Sequence, residues 1–110
     1  MRRTLVLSRF AITIVYTLRM SENYTLYQYE SCPFCYRVRL FLDEAGITLP
    51  LKDTMMDRDA FVELIRGGGS PTVPCLRIEE SSGEVRWLYE SLDIIEFLKQ
   101  RKSQGNRFVD

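Results

Sequence analysis

The feature that most constrains this chain is a pair of cysteines placed where a strand pattern gives way to a helix pattern. Residues 24–29 alternate and are rich in aromatic side chains, which is typical of a β-strand. The segment Cys32-Pro33-Phe34-Cys35 then interrupts the alternation. Apolar residues follow at three- and four-residue spacing as far as Gly46, which indicates an amphipathic helix ended by a glycine. A strand followed directly by such a helix is the opening of a βαβ unit.

The rest of the chain continues to alternate between strand and helix patterns. A glycine-rich stretch at 67–71 predicts a break, and a turn at 80–83 predicts a hairpin. Ser91 is predicted to be the N-cap of the last helix. In chain order, the predicted elements after the first helix are strand 47–51, helix 57–66, strands 73–79 and 84–89, and helix 92–100.

This β-α-β-α-β-β-α order predicts an α/β fold. A right-handed crossover makes the first two strands parallel, and the hairpin adds antiparallel strands. We therefore expect one mixed four-stranded sheet with helices on both faces. The domain is expected over residues 23–103, with an N-terminal extension at 1–22 and a C-terminal tail at 104–110.

The first 20 residues differ in character from the rest. Arg9 and Arg19 flank an apolar run at 10–18, which is too short to span a bilayer. Three interpretations stay open: a non-native or misassigned start with Met20 as the true first residue, an ordered extra strand or helix, or a targeting or membrane-contacting segment.

Composition excludes several kinds of chemistry. The chain has no histidine and three cysteines, which removes Cys–His and Ser–His catalysis and leaves no four-ligand zinc site within one chain. Beyond residue 22 there are eleven basic and fourteen acidic residues, so we expect no nucleic-acid partner. No metal is expected.

The position of the cysteine pair predicts a reactive thiol. The free N–H groups and the positive dipole at a helix N-terminus stabilise a thiolate relative to the thiol, so histidine is not required. Cys32 is expected to be exposed and to attack a disulfide, and the more buried Cys35 is expected to resolve the mixed disulfide. The alternative interpretations of a bare C-x-x-C are half of a metal site or two core cysteines.

A second motif, Thr72-Val73-Pro74, lies at the start of the third predicted strand. A cis peptide at Pro74 would leave the backbone of Val73 free to pair with an extended, peptide-like ligand. The alternative is a proline tolerated at the first residue of a strand. Cys75, which follows, is expected to lie in the core.

At these residues the chain resembles the glutaredoxins and, more broadly, the N-terminal domain of glutathione S-transferases. The resemblance covers about residues 24–102 and is carried by the Cys32–Cys35 segment, by Thr72-Val73-Pro74 and by Glu90-Ser91 before the last helix. It implies a thioredoxin-like fold, a cis Pro74 and a glutathione groove. It also implies electron flow from glutathione to disulfide-containing or glutathionylated proteins.

The resemblance also implies roles for individual residues. Cys32 corresponds to the nucleophile and Cys35 to the resolving thiol. The glutathione contacts it implies are Pro33, Phe34, Arg37, Thr72, Val73, Pro74, Glu90 and Ser91. Tyr29 stands where many glutaredoxins have a lysine, so the glycyl carboxylate of glutathione is expected to meet Arg37 or Arg66 instead.

Three functions follow as hypotheses. The first is a glutathione-dependent thiol–disulfide oxidoreductase that uses the dithiol, with glutathione as reductant. The second is a glutathione-ligated iron–sulfur carrier, and the third is a non-catalytic glutathione-binding module. A complete two-domain transferase is not expected. We expect a monomer in the cytoplasm, away from membranes.

Overall fold

The computed structural model describes residues 22–106 and Phe108. Its elements follow the predicted order. They are β1 (Asn23–Gln28), α1 (Pro33–Ala45), β2 (Leu51–Asp53), α2 (Arg58–Gly68), β3 (Cys75–Glu79), β4 (Val85–Tyr89) and α3 (Ser91–Ser103).

The four strands form one mixed sheet in the order β2-β1-β3-β4. β1 pairs with β2 in parallel and with β3 in antiparallel orientation, and β3 pairs with β4 in antiparallel orientation. The predicted fold class is therefore confirmed. Because β1, β2 and β4 all run toward the same edge of the sheet, the segments that follow them lie along that edge. We call it the carboxyl edge.

Helices cover both faces of the sheet, as predicted. On one face, side chains of α1 and α3 pack with the sheet around buried Leu26, Val38, Leu76 and Ile94. On the other face, α2 places Ala60 and Leu64 against Tyr27 and Cys75. The sheet therefore lies between two layers of helices, and the carboxyl edge is not covered by either layer.

The second strand begins four residues later than predicted. Ile47 and Leu49 are buried and Thr48 is exposed, so the stretch has the burial alternation of a strand. However, Ile47 N–H donates to Leu42 O at the end of α1, and pairing with β1 starts only at Leu51. The apolar pattern at 47–49 therefore marks an extended connection that packs on the core and is not hydrogen-bonded into the sheet.

The second helix runs through part of the predicted glycine break. Gly67 and Gly68 are helical, and the break falls at Gly69, whose φ is +88°. A Cβ on Gly67 would lie 2.1 Å from the Trp87 ring, and one on Gly68 would lie 2.0 Å from the Tyr89 hydroxyl. These glycines therefore allow β4 aromatic side chains to pack directly on the backbone of α2.

The two ends of the described chain meet at Tyr24. Glu22 accepts hydrogen bonds from Tyr24 Oη at 2.6 Å and from Arg101 Nε at 2.8 Å. Asn106 donates to Tyr24 Oη, and the Phe108 ring lies 5.3 Å from the Tyr24 ring. Residues 1–21 of the predicted extension at 1–22 lie outside the described residues. Within the described part of the chain, no helix is long and apolar enough to cross a membrane.

Candidate functional site

Cys32 occupies the N-cap of α1, at the carboxyl edge directly after β1. Its backbone is extended, with φ −80° and ψ 118°, and its Sγ accepts the N–H of Cys35 at 3.2 Å. Pro33 is in the first turn of α1, where a backbone N–H has no partner within the helix, so the lack of an N–H in proline costs no hydrogen bond. The sulfur thus takes up one of the free donors of the helix N-terminus, an interaction that stabilises negative charge on it.

The expectation that Cys32 is exposed is wrong. The residue is 4% exposed, although Ser31 and Pro33 on either side of it are exposed. The sulfur is hydrogen-bonded to the N–H of Cys35 at the start of α1, and the residue as a whole offers little area to solvent.

Cys35 is fully buried one turn into α1. Burial raises the pKa of its thiol to about 12, and the hydrogen bond with Cys32 also raises it. Cys35 is therefore a thiol at neutral pH. Neither cysteine forms a disulfide, and their positions differ. Cys32 is the N-cap of α1 at the carboxyl edge, whereas Cys35 is a buried residue within α1.

A cleft of about 410 Å³ opens at the same edge. The Val73–Pro74 peptide bond is cis, as the resemblance implied, and forms one wall. Seven of the eight predicted glutathione contacts line this cleft; Pro33 does not. Its lining is Phe34, Arg37, Thr72, Val73, Pro74, Glu90, Ser91, Leu92 and Asp93.

Leu92 and Asp93 were missed by sequence reasoning. They directly follow Ser91, and the signal available was their place in the first turn of a predicted helix, where side chains and N–H groups surround the helix start.

Ser91 is not an N-cap, contrary to the sequence prediction. It is the first residue of α3, Glu90 holds the cap position, and no side chain caps this end of the helix. The Ser91 Oγ instead accepts a hydrogen bond from Arg37 at 3.1 Å. The Arg37 guanidinium also lies 5.4 Å from the Phe34 ring centre, so it joins the cysteine segment to the start of α3 across the cleft.

Glu90 has a positive φ of 76°, the only such value for a non-glycine residue in the described chain. A side chain held in such a sparsely populated backbone conformation costs about 1–3 kcal/mol. Such strain concentrates at binding and catalytic sites. Here it turns the chain sharply from β4 into α3, so that the uncapped first turn of α3 opens on the cleft.

Arg66, the second candidate for a carboxylate contact, is placed elsewhere. It lines a different cleft, together with Lys52, Arg77 and Trp87, that shares no residue with the first. The arrangement leaves Arg37 as the arginine at the cleft beside the cysteines.

Cys75 lies in the core, as expected. It is fully buried, and burial raises the pKa of its thiol to about 12. Its neighbour Tyr89 donates from Oη to the carbonyl of Ser70 at 3.0 Å, which fixes the chain that leads into the cis-proline wall. Among the described residues, no group of three or more Cys, Asp or Glu side chains is arranged to hold a metal ion.

The fold and this edge define a thioredoxin-like α/β domain of the glutathione-related class. The sequence profile of the glutathione S-transferase N-terminal domain matches residues 31–101. The match covers most of the chain, which therefore belongs to the glutathione S-transferase N-terminal domain family. A comparison with curated protein sequences gives no match.

Solved structures agree with this assignment. The thioredoxin-like protein BC3987 is 27% identical, with a TM-score of 0.54 over 71% of this chain and 97% of its own. Glutaredoxin 2 from Salmonella typhimurium, solved in complex with glutathione, is 27% identical with a TM-score of 0.57 over 82% of this chain. Glutathione transferase Omega 2S from Trametes versicolor is 29% identical with a TM-score of 0.58 over 73% of this chain. This chain spans only 38% of the length of each of the last two.

Proposed function

We propose that this protein is a glutathione-dependent thiol–disulfide oxidoreductase that reduces protein disulfides and glutathione mixed disulfides in the cytoplasm. The observation that carries the proposal is the place of Cys32. Its Sγ accepts a helix N-terminal N–H at 3.2 Å, on the same edge as a cleft walled by a cis-proline segment. Such a sulfur is a good nucleophile and a good leaving group.

The reaction begins with the thiolate of Cys32. It attacks the glutathione sulfur of a mixed disulfide, the substrate's S–S bond breaks, and the substrate leaves as a thiolate that takes up a proton. Glutathione is now bonded to Cys32. A second glutathione thiolate attacks the glutathione sulfur, which releases glutathione disulfide and regenerates the Cys32 thiolate. Each cycle thus consumes one reduced glutathione, and the glutathione taken from the substrate leaves as the other half of glutathione disulfide.

With a protein disulfide, Cys35 takes part. Cys32 first forms a mixed disulfide with one substrate sulfur and frees the other as a thiol. Cys35 then loses its proton and attacks Cys32, which releases the substrate and leaves a Cys32–Cys35 disulfide for glutathione to reduce. Because burial raises the pKa of the Cys35 thiol, its proton is lost as the new bond forms, and the departing substrate sulfur takes up a proton.

The cleft supplies groups that fit the ends of glutathione. The uncapped N–H groups of α3 and the Arg37 guanidinium favour a carboxylate, and Glu90 and Asp93 favour an ammonium group. The backbone of Val73 is available beside Pro74, at the start of β3, for pairing with an extended ligand. These features support glutathione as the co-substrate.

The test is reduction of a glutathionylated peptide by glutathione, coupled to glutathione reductase. Cys32→Ser should abolish turnover. Cys35→Ser should retain it and lose only the reduction of intramolecular disulfides. Cys75→Ser is the matched control, since it removes a buried thiol outside the site. Full turnover by Cys32→Ser would overturn the proposal.

A second candidate function is glutathione binding without redox chemistry. It is favoured by the 4% exposure of Cys32, which restricts access to the sulfur. Calorimetric titration of Cys32→Ser with glutathione separates the two functions. Binding by this variant, together with absence of turnover by the wild-type protein, would establish the second candidate and refute the first.

A further inference from the structure

We propose that the carboxyl edge is a docking surface for an extended polypeptide segment that is apolar and positively charged and that carries the disulfide attacked by Cys32. This inference rests on the proposed function and names its substrate class. Four large apolar side chains are exposed along the edge: Phe34 at 56%, Met55 at 69%, Met56 at 86% and Leu92 at 64%.

Topology brings these side chains to one edge. Met55 and Met56 follow β2, Phe34 lies beside Cys32 after β1, and Leu92 follows β4. The strand order β2-β1-β3-β4 therefore places the methionines on one side of the cysteine and Leu92 on the other. Thr54 N–H donates to Gln28 O at 3.0 Å, which ties the methionine loop to the end of β1.

The loop that presents the methionines is held rigidly. Asp53 Oδ1 accepts the N–H groups of Met55 and Met56 at 2.8 and 2.9 Å, and Asp57 N–H donates to Asp53 O at 2.9 Å. Two adjacent methionines are thereby kept outward instead of folding onto the core. Unbranched, polarisable methionine side chains adapt to varied apolar partners and are frequent on surfaces that bind many sequences.

The dimensions of the edge fit a short stretch of chain. Three strand spacings separate β2 from β4, or about 14 Å. An extended segment rises about 3.3 Å per residue, so roughly five residues reach from the methionines across Cys32 to Leu92. A substrate cysteine in the middle of such a segment would lie over the cleft.

The net negative charge of the side chains along the edge favours a positively charged substrate segment. Glu90 and Asp93 are exposed at the edge, and the hydrogen bonds that Arg37, Arg39, Asp53 and Asp57 make there are to neutral groups and leave their charges in place. Carboxylates outnumber cations, which favours lysine or arginine in the substrate segment. The carboxylates at this edge are Glu30, Asp53, Asp57, Glu90 and Asp93, and the cations are Arg37, Arg39 and Arg58.

The experiment compares substrates and one double variant. Three substrates are used: a glutathionylated hexapeptide with leucine and lysine around its cysteine, one with serine and glutamate there, and the mixed disulfide of glutathione with 2-mercaptoethanol. Met55→Gln combined with Met56→Gln should raise KM about tenfold for the leucine–lysine peptide and leave kinetics with the small disulfide unchanged. Ile65→Gln is the matched control, an apolar residue that is 39% exposed in the last turn of α2, away from the edge.

A binding measurement keeps the inference separate from the proposed function. Fluorescence anisotropy follows a labelled leucine–lysine peptide whose cysteine is replaced by serine, so no chemistry is needed. The double variant should weaken its Kd about tenfold and Ile65→Gln should not. Equal binding by wild type and double variant, or equal binding of the serine–glutamate peptide, overturns the docking surface. Failure of the wild-type protein to turn over the small disulfide overturns the proposed function alone.

Discussion

Gly68→Ala tests whether the close contact between α2 and β4 is required. An added Cβ would lie 2.0 Å from the Tyr89 hydroxyl oxygen and 3.0 Å from the ring carbon that carries it. Ordinary contacts between such atoms are about 3.5 Å or more, so the ring must shift by more than an ångström. We therefore expect this substitution to be destabilising although alanine favours helices.

The magnitude follows from two opposed effects. Overpacking costs about 1–3 kcal/mol. The higher helix propensity of alanine offsets at most about 1 kcal/mol of this cost, and offsets less in the last turn of a helix. The free energy of unfolding should fall by about 1–2 kcal/mol. Tyr89→Phe alone should cost about 1 kcal/mol, because it removes the hydrogen bond to the Ser70 carbonyl.

A double-mutant cycle isolates the contact. Without the hydroxyl, the nearest atom to the Gly68 Cβ is a ring carbon at 3.0 Å, so Gly68→Ala should cost about 1 kcal/mol less in the Tyr89→Phe background. Urea titration monitored by the fluorescence of Trp87, the sole tryptophan, measures each corner of the cycle. Far-UV circular dichroism provides an independent probe.

Gly67→Ala is the control for this cycle. Its Cβ would meet Trp87 at 2.1 Å and not Tyr89, so it should destabilise the protein to the same extent with or without Tyr89→Phe. The reasoning fails if Gly68→Ala is as stable as the wild-type protein, or if its effect and that of Tyr89→Phe simply add.

Three further predictions concern stability. Because burial raises the pKa of Cys75 from the ordinary 9.0 to about 12, its contribution is complete below pH 9 and is lost as the pH rises toward 12. Thermal melts should therefore show a shallower alkaline loss in Cys75→Val than in wild type; parallel curves would contradict this. Glu90→Gly should be about 0.5–1 kcal/mol more stable than Glu90→Ala by urea titration, since only glycine relieves the positive φ. Arg101→Met should cost about 2 kcal/mol because it removes a charged hydrogen bond to the partly buried Glu22 carboxylate, whereas Lys99→Met on the exposed side of α3 should be neutral.

The element order was predictable because each segment carries its own local signal. Alternation at 24–29, the spacing of apolar residues to Gly46 and the turn at 80–83 each indicate a single structure. Those signals agree with one another, and the right-handed crossover rule then leaves few ways to build the sheet. The position of the cysteine pair at the helix start follows from the same local patterns.

The errors come from contacts between segments distant in sequence. Glycines at 67 and 68 suggested a break, yet they are helical, and Trp87 and Tyr89, some twenty residues later, occupy the space that side chains there would need. Ser91 has the residue type of an N-cap, but the Arg37 guanidinium from α1 takes its hydroxyl oxygen. The local sequence around a residue does not reveal contacts with residues that are distant in the chain.

The exposure of Cys32 was mistaken for a related reason. Its position before the helix suggested a sulfur open to solvent, but the side chain that accepts the N–H of Cys35 is buried. Residue type and spacing locate such a group, while side-chain rotation decides its accessibility.

The meeting of both chain ends at Tyr24 has a practical consequence. β1 begins there, at the edge of the sheet opposite to Cys32, and the ring of Phe108 returns to the same spot. A domain whose entry and exit points adjoin can be inserted into a surface loop of a host protein or circularly permuted with a short linker. The edge that carries Cys32 would then lie on the side of the domain away from the graft and stay accessible.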